Sequence, residues 1–210
     1  MTIETLPCPA CGKPPGVCIC DRVEAITTKL RVVILQHPQE DDALLGTAKL
    51  VDVTLPKAEL RVGLSWASLA HALGARDADR DRWAVLAAAK LPAPIPESSR
   101  AEPVVVIDRK GRLRDLKRHG LEGIIVLDGT WSQAKTLWWR NAWLLKLPLI
   151  VLKPREPSIY GRLRKEPRKE WVSTLEAIGD VLPALGEPEA VRTSLRKLLR
   201  TLLQRSRDAA

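Results

Sequence analysis

The chain has 210 residues, of which 45% are hydrophobic, and a formal net charge of +9 at pH 7. This length and apolar content are enough to bury one good core, so a single domain with a small appendage is the simplest organisation. The longest apolar run, residues 143–152, is broken by Lys146 and Pro148 and is too short for a membrane helix. The positive charge predicts an acidic partner, nucleic acid and not a membrane, and an N-terminus without a signal-peptide pattern predicts a cytoplasmic protein.

The N-terminal segment contains all four cysteines of the chain, in a Cys-x-x-Cys pair and a Cys-x-Cys pair. They are Cys8, Cys11, Cys18 and Cys20. Closely spaced thiolates on turns are the typical ligands of a tetrahedral zinc ion, whereas two disulfides, the alternative, would be kept reduced in the cytoplasm. Four protein ligands leave no position for a reactive water. We therefore expect residues 1–22 to form a zinc knuckle with a structural metal, and residues 23–210 to form the main domain.

After the knuckle, short apolar runs alternate with segments of helical periodicity. The runs predict strands over residues 30–35, 61–64, 104–107, 124–127 and 149–152. Helices are predicted over residues 43–51, 66–73, 80–90, 113–118, 131–139 and 171–178. This alternation is typical of an α/β fold with a mainly parallel sheet and helices on both faces. A C-terminal amphipathic segment predicts a helix that packs either on the core or between two copies in a homodimer.

The four residues that follow the apolar run 124–127 are the clearest candidates for a functional site. They read Asp-Gly-Thr-Trp, residues 128–131. In an open α/β sheet, a polar residue at the carboxyl end of a strand lies where ligands bind. Thr130 and Gln133 also fit a helix capping box, which needs no function. The capping box does not explain Asp128 or an indole at the first helical position, so the sequence favours a functional site.

Two segments of the main domain concentrate positive charge. Residues 109–118 carry a net charge of +5, and residues 153–170 carry a net charge of +4. Each run fits a solvated surface, but both follow predicted strands, and the basic residues around Tyr160 predict that its ring is exposed. We therefore favour a surface that binds a phosphate backbone. We expect strands 104–107 and 149–152 to flank strand 124–127, so that the loops after these three strands converge. The candidate RNA-binding residues are Arg109, Arg112, Tyr160, Arg162, Arg164 and Arg168.

The order of the motifs resembles that of the DTW-domain family. The set comprises the cysteine pairs, His37-Pro38-x-Glu40, Asp128-Gly-Thr-Trp131, Pro157-Ser158-x-Tyr160 with Arg164, and Ser173-Thr-Leu-Glu-Ala177. The resemblance covers essentially the whole chain and implies a SPOUT-like fold with a C-terminal knot. Two segments depart from the family pattern. Residues 107–109 (Ile-Asp-Arg) replace an aromatic-Pro-small stretch, and residues 46–49 (Gly-Thr-Ala-Lys) replace one that often bears asparagine.

The resemblance implies a tRNA-uridine aminocarboxypropyltransferase. Such an enzyme transfers the 3-amino-3-carboxypropyl group of S-adenosylmethionine to N3 of a uridine in tRNA and releases methylthioadenosine. The reaction requires accurate positioning and a carboxylate that takes or orients the N3 proton. The catalytic candidates are Asp128, Thr130 and Trp131. The candidates for binding the cofactor are Ile107, Leu127, Gly129, Leu152, Ser173, Thr174 and Glu176.

The candidate residues have different predicted roles. Asp128 is expected to accept or orient the N3 proton. Trp131 is expected either to form one wall of the cofactor pocket or to stack on a base. Ser173, Thr174 and Glu176 offer amides, hydroxyls and a carboxylate to the amino-acid part of the donor, although Ser173 and Glu176 equally fit a capping box. Two alternatives stay open: an RNA methyltransferase of the same fold, which would release adenosylhomocysteine, and a non-enzymatic zinc-containing RNA-binding module.

Overall fold

The structure is a computed structural model that describes residues 6–40, 44–86, 99, 101–114, 120–154, 156–160 and 172–209. Within these residues, six strands form one sheet: β1 (Arg31–Gln36), β2 (Ala58–Val62), β3 (Trp83–Leu86), β4 (Val104–Ile107), β5 (Gly123–Asp128) and β6 (Leu149–Leu152). The α-helices are α1 (Ala48–Thr54), α2 (Leu69–Leu73), α3 (Trp131–Arg140), α4 (Thr174–Ala184) and α5 (Glu189–Asp208). Short 3₁₀ helices cover Cys20–Arg22, Arg80–Arg82 and Ala142–Lys146. The predicted α/β class is confirmed.

The strand order determines which residues share an edge of the sheet. The order is β2-β1-β5-β3-β6-β4, and within the described sheet every neighbouring pair is parallel except β6 and β4. Gln36 pairs with Asp128, and Leu152 ends β6 in the same direction, so these three residues mark what we call the upper edge. Ile107 ends the antiparallel β4 and pairs with Leu149, the first residue of β6. It therefore lies at the opposite, lower edge.

The core consists of two layers, one on each face of the sheet. Alternate residues of β5 point to opposite faces. Ile124 and Val126 belong to the layer formed with α1, α4 and α5, and Ile125 and Leu127 to the layer formed with α2 and α3. The apolar face of α5 packs within the chain, so the homodimer stays a prediction. Its buried apolar residues are Val191, Leu195, Leu198, Leu199, Leu202 and Leu203.

Residues 80–90 do not form the helix that the sequence predicts. A 3₁₀ turn is followed at Trp83 by β3, whose four residues are all buried between β5 and β6. The prediction is wrong because a short apolar run without alternation fits a buried strand as well as a helix. The partner strand accommodates the large indole of Trp83 at Gly123, where an added Cβ would lie 2.7 Å from that ring. Residues 87–90 lie outside the described part of the chain.

Other predicted helices differ from the structure mainly at their boundaries. Two of them start later than predicted, α1 at Ala48 and α2 at Leu69. Leu113 forms an isolated bridge with Ile107, and most of the predicted helix over 113–118 lies outside the described residues. No helix in the described ranges combines the length and the apolar character that crossing a bilayer requires.

Candidate active site and metal centre

Asp128, the last residue of β5, carries a carboxylate that two neighbouring side chains hold in place. Only 8% of the residue is exposed. Gln36, its register partner on β1, donates from Nε2 to Oδ2 at 2.7 Å, and the hydroxyl of Thr174 at the start of α4 donates to Oδ1. Each oxygen of a carboxylate offers about two acceptor positions. The group is therefore fixed in orientation yet can still accept a proton or a hydrogen bond from a ligand.

The turn after Asp128 depends on a glycine and a helix cap. Gly129 has φ +140°, and a Cβ there would lie 2.9 Å from Oε1 of Gln133. Thr130 and Gln133 form a complete capping box: the Thr130 amide donates to Oε1 at 2.6 Å, and the Gln133 amide donates to Oγ1 at 3.4 Å. Gln133 also donates from Nε2 to the carbonyl of Gln39 at 3.0 Å, which joins α3 to the loop after β1. The capping role predicted for Thr130 is confirmed.

The loop after β1 closes the upper edge beside Asp128. The amide of His37 donates to the Asp128 carbonyl at 3.1 Å, and the side chain is buried. Its Nδ1 accepts from the Gln39 amide at 3.2 Å, while the Glu40 amide donates to the His37 carbonyl at 2.9 Å. These contacts make His37 a residue that shapes the turn. On the solvent side of the same edge, Trp131 is 47% exposed.

The start of α4 forms a second capping box, and this one is buried. The Glu176 amide donates to Ser173 Oγ at 3.1 Å, and the Ser173 amide donates back to Glu176 Oε2 at 2.9 Å. Glu176 is fully buried, and its carboxylate also accepts from the Ser173 hydroxyl at 2.9 Å, the Ser158 hydroxyl at 2.8 Å and the Ile159 amide at 2.7 Å. Four donors engage this carboxylate inside the protein, so it clamps the segment after β6 onto α4.

The sequence predicts that Tyr160 lies on the surface, but the structure buries it. The residue is 1% exposed, and its hydroxyl donates to the carbonyl of Leu45. The prediction of an exposed ring is wrong because the clamp at Glu176 draws residues 158–160 onto the core. The other candidates of this basic segment, Arg162, Arg164 and Arg168, lie outside the described residues.

The candidates that follow β4 lie at the lower edge, away from Asp128. The side chain of Arg109 donates from Nε to the carbonyl of Lys146 at 2.8 Å, and Arg112 forms an ion pair with Asp108 at 2.7 Å. Ile107 is buried at this edge as well.

The expectation that β4 and β6 flank the Asp128 strand is wrong, and with it the convergence of the loops after Ile107, Leu127 and Leu152. Instead, β1 and β3 flank β5, and β4 runs antiparallel at the end of the sheet. The sheet brings Leu127, Gly129 and Leu152 to the upper edge with Asp128, and excludes Ile107 from it.

Two residues near Asp128 were not among the sequence candidates. Gln36 orients the carboxylate directly, and Thr47 accepts from the Leu175 amide at 3.3 Å, which supports the start of α4. Gln36 could have been found by the rule that identified Asp128, because it is a polar residue at the end of a buried strand. Thr47 offers no comparable signal, since its contact is made across 128 positions of the chain.

The four cysteines form a cluster of the size that a metal ion requires. Their sulfur atoms all lie within 4.8 Å of one another, and the Cys8–Cys20 and Cys11–Cys18 sulfur pairs are each 3.7 Å apart. Zn–S bonds of about 2.3 Å in a tetrahedron place sulfur atoms roughly 3.8 Å apart, whereas a disulfide needs about 2.05 Å. The cysteines are free thiols. Backbone N–H groups of Cys11 and Ala10 lower the pKa of Cys8 to about 6, whereas burial and the neighbouring thiols raise the pKa of Cys20.

The cysteine cluster is anchored to the main body at two places. Lys13 is buried and donates from Nζ to the carbonyl of Gly46 at 2.5 Å. On the other side, Arg205 of α5 donates to both carboxylate oxygens of Asp21, at 2.7 and 2.8 Å, and to the carbonyl of Cys18. Because Val17 and Ile19 also enter the core layer of α5, the N-terminal segment packs as part of the same body.

The fold and the site together define an α/β protein with a fixed carboxylate at the carboxyl edge of a mostly parallel sheet and a four-cysteine cluster. The family model of the DTW domain matches residues 6–207, and the chain belongs to this family. No solved structure matches the chain.

The chain is also similar to proteins named tRNA-uridine aminocarboxypropyltransferase. It is 26% identical over 208 residues to form 2 of Macaca fascicularis and 27% identical over 204 residues to form 2 of Mus musculus, in each case with 93% of this chain and 61% of the mammalian protein covered. It is 29% identical over 225 residues to form A of Arabidopsis thaliana, with 93% of this chain and 77% of the plant protein covered. The chain therefore spans less than two thirds of the two mammalian relatives.

Proposed function

We propose that the protein transfers the 3-amino-3-carboxypropyl group of S-adenosylmethionine to N3 of a uridine in tRNA and releases methylthioadenosine. The observation that carries the proposal is the Asp128 carboxylate, buried at the upper edge and oriented by Gln36 and Thr174. Membership of the DTW domain family and the names of the similar proteins support the same reaction.

The donor supplies a methylene carbon that its sulfonium activates toward attack. In the transfer, the N3 electron pair forms the new N–C bond, the C–S electron pair leaves with sulfur, and the N3 proton must go to a base. Asp128 accepts or orients that proton. Gln36 and Thr174 each hold one oxygen of the carboxylate, so its remaining acceptor positions point in a fixed direction. A base that is already oriented lowers the entropic part of the reaction barrier.

The residues at the upper edge fit the donor, with two changes to the set predicted from sequence. Gly129, at positive φ and packed against Gln133, forms the tight turn that follows Leu127 and Asp128 at this edge. We assign the donor to this turn and to Leu152 and Thr174, and leave out Ile107, which lies at the lower edge. Ser173 and Glu176 support the site by holding α4, because the carboxylate is engaged by four internal donors.

The cysteine cluster fits a structural zinc ion. The sulfur separations of 3.7 Å match a tetrahedron, and four thiolates leave no open coordination position. We expect about one zinc per chain in reductively purified protein. Metal analysis checks this, and folded protein without metal would contradict it.

The SPOUT-like knot and the cytoplasmic location are also part of the proposal. The knot is proposed from the family resemblance alone, and the described residues show only that the start of α4 contacts the end of β5 through Thr174 and Asp128. The cytoplasmic location is an expectation from the tRNA substrate.

Mass spectrometry of tRNA nucleosides tests the reaction. Purified protein is incubated with tRNA and S-adenosylmethionine, and both the modified nucleoside and the donor product are quantified. We expect a uridine that gains the 3-amino-3-carboxypropyl group and an equal amount of methylthioadenosine. Release of adenosylhomocysteine with a methylated nucleoside would replace the proposal by a methyltransferase. If calorimetry detects no binding of the donor or its products at millimolar concentration, the proposed reaction is rejected and the non-enzymatic RNA-binding module remains.

A further inference from the structure

Two tryptophans of α3 are exposed on the same side of the helix. Trp131 is 47% exposed and Trp139 is 69% exposed. Eight residues make roughly two turns and span about 12 Å of helix, so the two rings project from the same side of α3. Lys135 lies one turn from each, with its ammonium 5.2 Å from the centroid of the Trp131 ring. We call Trp131, Lys135 and Trp139 the α3 stripe. Two large exposed rings on one face of a helix, with a lysine between them, form a candidate interaction surface.

The charge around the α3 stripe favours an anionic partner. Helix α3 itself contains no Asp or Glu, and its two charged residues, Lys135 and Arg140, are both basic. The lower edge differs, since Arg112 and Arg114 form ion pairs there with Asp108 and Asp81. A second copy of this chain would bring another formal net charge of +9 to the surface. Aromatic rings interleaved with cations instead match the surfaces that bind single-stranded nucleic acid.

The chemistry of the acceptor points to the same partner. N3 of uridine carries the proton that pairs with adenine, so a uridine can react at N3 only when it is unpaired. Unpaired bases stack on indole rings without regard to sequence, whereas bases inside a duplex are already stacked. Trp131 lies three residues after Asp128, at the N-terminus of α3. Nucleotides stacked along the stripe would therefore lead toward the upper edge.

We propose that the α3 stripe is the stacking platform for the single-stranded tRNA segment that flanks the acceptor uridine. Trp131 and Trp139 stack bases, and Lys135 contacts the phosphate between them. This inference rests on the proposed function. It replaces the segment after β4 by α3 in the RNA surface, while Arg162, Arg164 and Arg168 stay predicted RNA contacts.

Binding of a fluorescein-labelled oligouridylate of about ten nucleotides tests the platform, with an RNA duplex of similar length as the comparison. The variant is Trp139→Ala, because its ring is mostly solvent-exposed and its loss should leave the unfolding midpoint nearly unchanged. We expect affinity for the single strand to fall about tenfold, Trp139→Phe to restore most of it, and affinity for the duplex to stay unchanged. Leu113→Ala is the matched control, since Leu113 is 47% exposed at the lower edge.

Three results would overturn the platform: equal affinity of Trp139→Ala and the unchanged protein for the oligouridylate, an equal loss for the duplex, or a dimer that Trp139→Ala converts to a monomer. Steady-state kinetics separates the inference from the proposed function. The platform predicts a higher KM for tRNA with an unchanged KM for the donor. Protein that modifies tRNA normally after Trp139→Ala contradicts the platform alone. Protein that binds the oligouridylate through the stripe but forms no methylthioadenosine contradicts the proposed reaction alone.

Discussion

The two helices that begin at the upper edge, α3 and α4, start with the same kind of capping box. The two boxes differ in burial and therefore in their structural role. At α3, Thr130 is exposed, and its box with Gln133 satisfies the first amides of the helix. At α4, Glu176 is fully buried and accepts hydrogen bonds from Ser173 and from the segment after β6. The first box shapes a turn that presents Asp128, and the second joins two parts of the chain that are distant in sequence.

This difference shows that a local sequence motif predicts where a helix starts but not how much the motif contributes to the free energy of unfolding. An exposed box competes with water, so its removal costs little. A buried box leaves its donors without partners when the acceptor is removed, and each such donor costs a desolvation penalty. The variants below test whether the two boxes differ in this way.

The largest effect on stability is expected for Glu176→Ala. Loss of the carboxylate leaves the Ser173 and Ile159 amides and the Ser158 hydroxyl unpaired in the core, and should lower the free energy of unfolding by about 3–5 kcal/mol. Gln133→Ala, the matched change in the exposed box, should cost less than about 1 kcal/mol. Urea unfolding followed by tryptophan fluorescence measures both. Similar losses for the two variants would mean that burial does not distinguish the boxes.

Asp128→Asn should have the next largest effect, on turnover instead of stability. If the carboxylate accepts or orients the N3 proton, the rate of methylthioadenosine release should fall roughly 10²-fold. The fold should be retained, because the new amide can donate to Gln36 once the Gln36 amide is flipped, and can still accept from Thr174. The rate and the urea midpoint are measured on the same preparations. Near-normal turnover would reduce Asp128 to a turn residue.

Thr174→Val tests whether the buried box also controls the carboxylate. The change keeps the shape of the side chain and removes the hydroxyl that donates to Asp128. We expect a loss of about 1–1.5 kcal/mol in the free energy of unfolding, the usual contribution of one hydrogen bond, and about tenfold slower turnover. Thr174→Ser, which keeps the hydroxyl, should recover most of both. A stability loss with unchanged turnover would separate α4 from the chemistry.

The parts of the site that the sequence predicts correctly depend on neighbouring residues. Both capping boxes, the strand that ends at Asp128 and the spacing of the cysteine pairs are local patterns, and the structure contains all of them. The same holds for the apolar face of α5, whose helical period is visible over 20 residues.

The parts that the sequence does not predict depend on contacts between distant residues. β3 has the same short apolar pattern as a buried helix segment, and only its position between β5 and β6 decides between them. The direction of β4 is set by the path of the chain across the sheet, so the basic residues after it reach the lower edge instead of Asp128. Tyr160 is buried because Glu176 holds the preceding residues on α4, and its hydroxyl contacts the carbonyl of Leu45, 115 positions away.

The smallest effect is expected for Thr130, the residue that the sequence places in the catalytic set and the structure places in the exposed cap. Thr130→Ala removes one hydrogen bond to the start of α3 and should lower the free energy of unfolding by about 1 kcal/mol. Thr130→Ser keeps an oxygen at the same position and should be close to neutral. Turnover should change by less than threefold in both, because Asp128 is held by Gln36 and Thr174 and not by this cap. A 10²-fold loss of turnover in Thr130→Ala at unchanged stability would instead place its hydroxyl in the reaction.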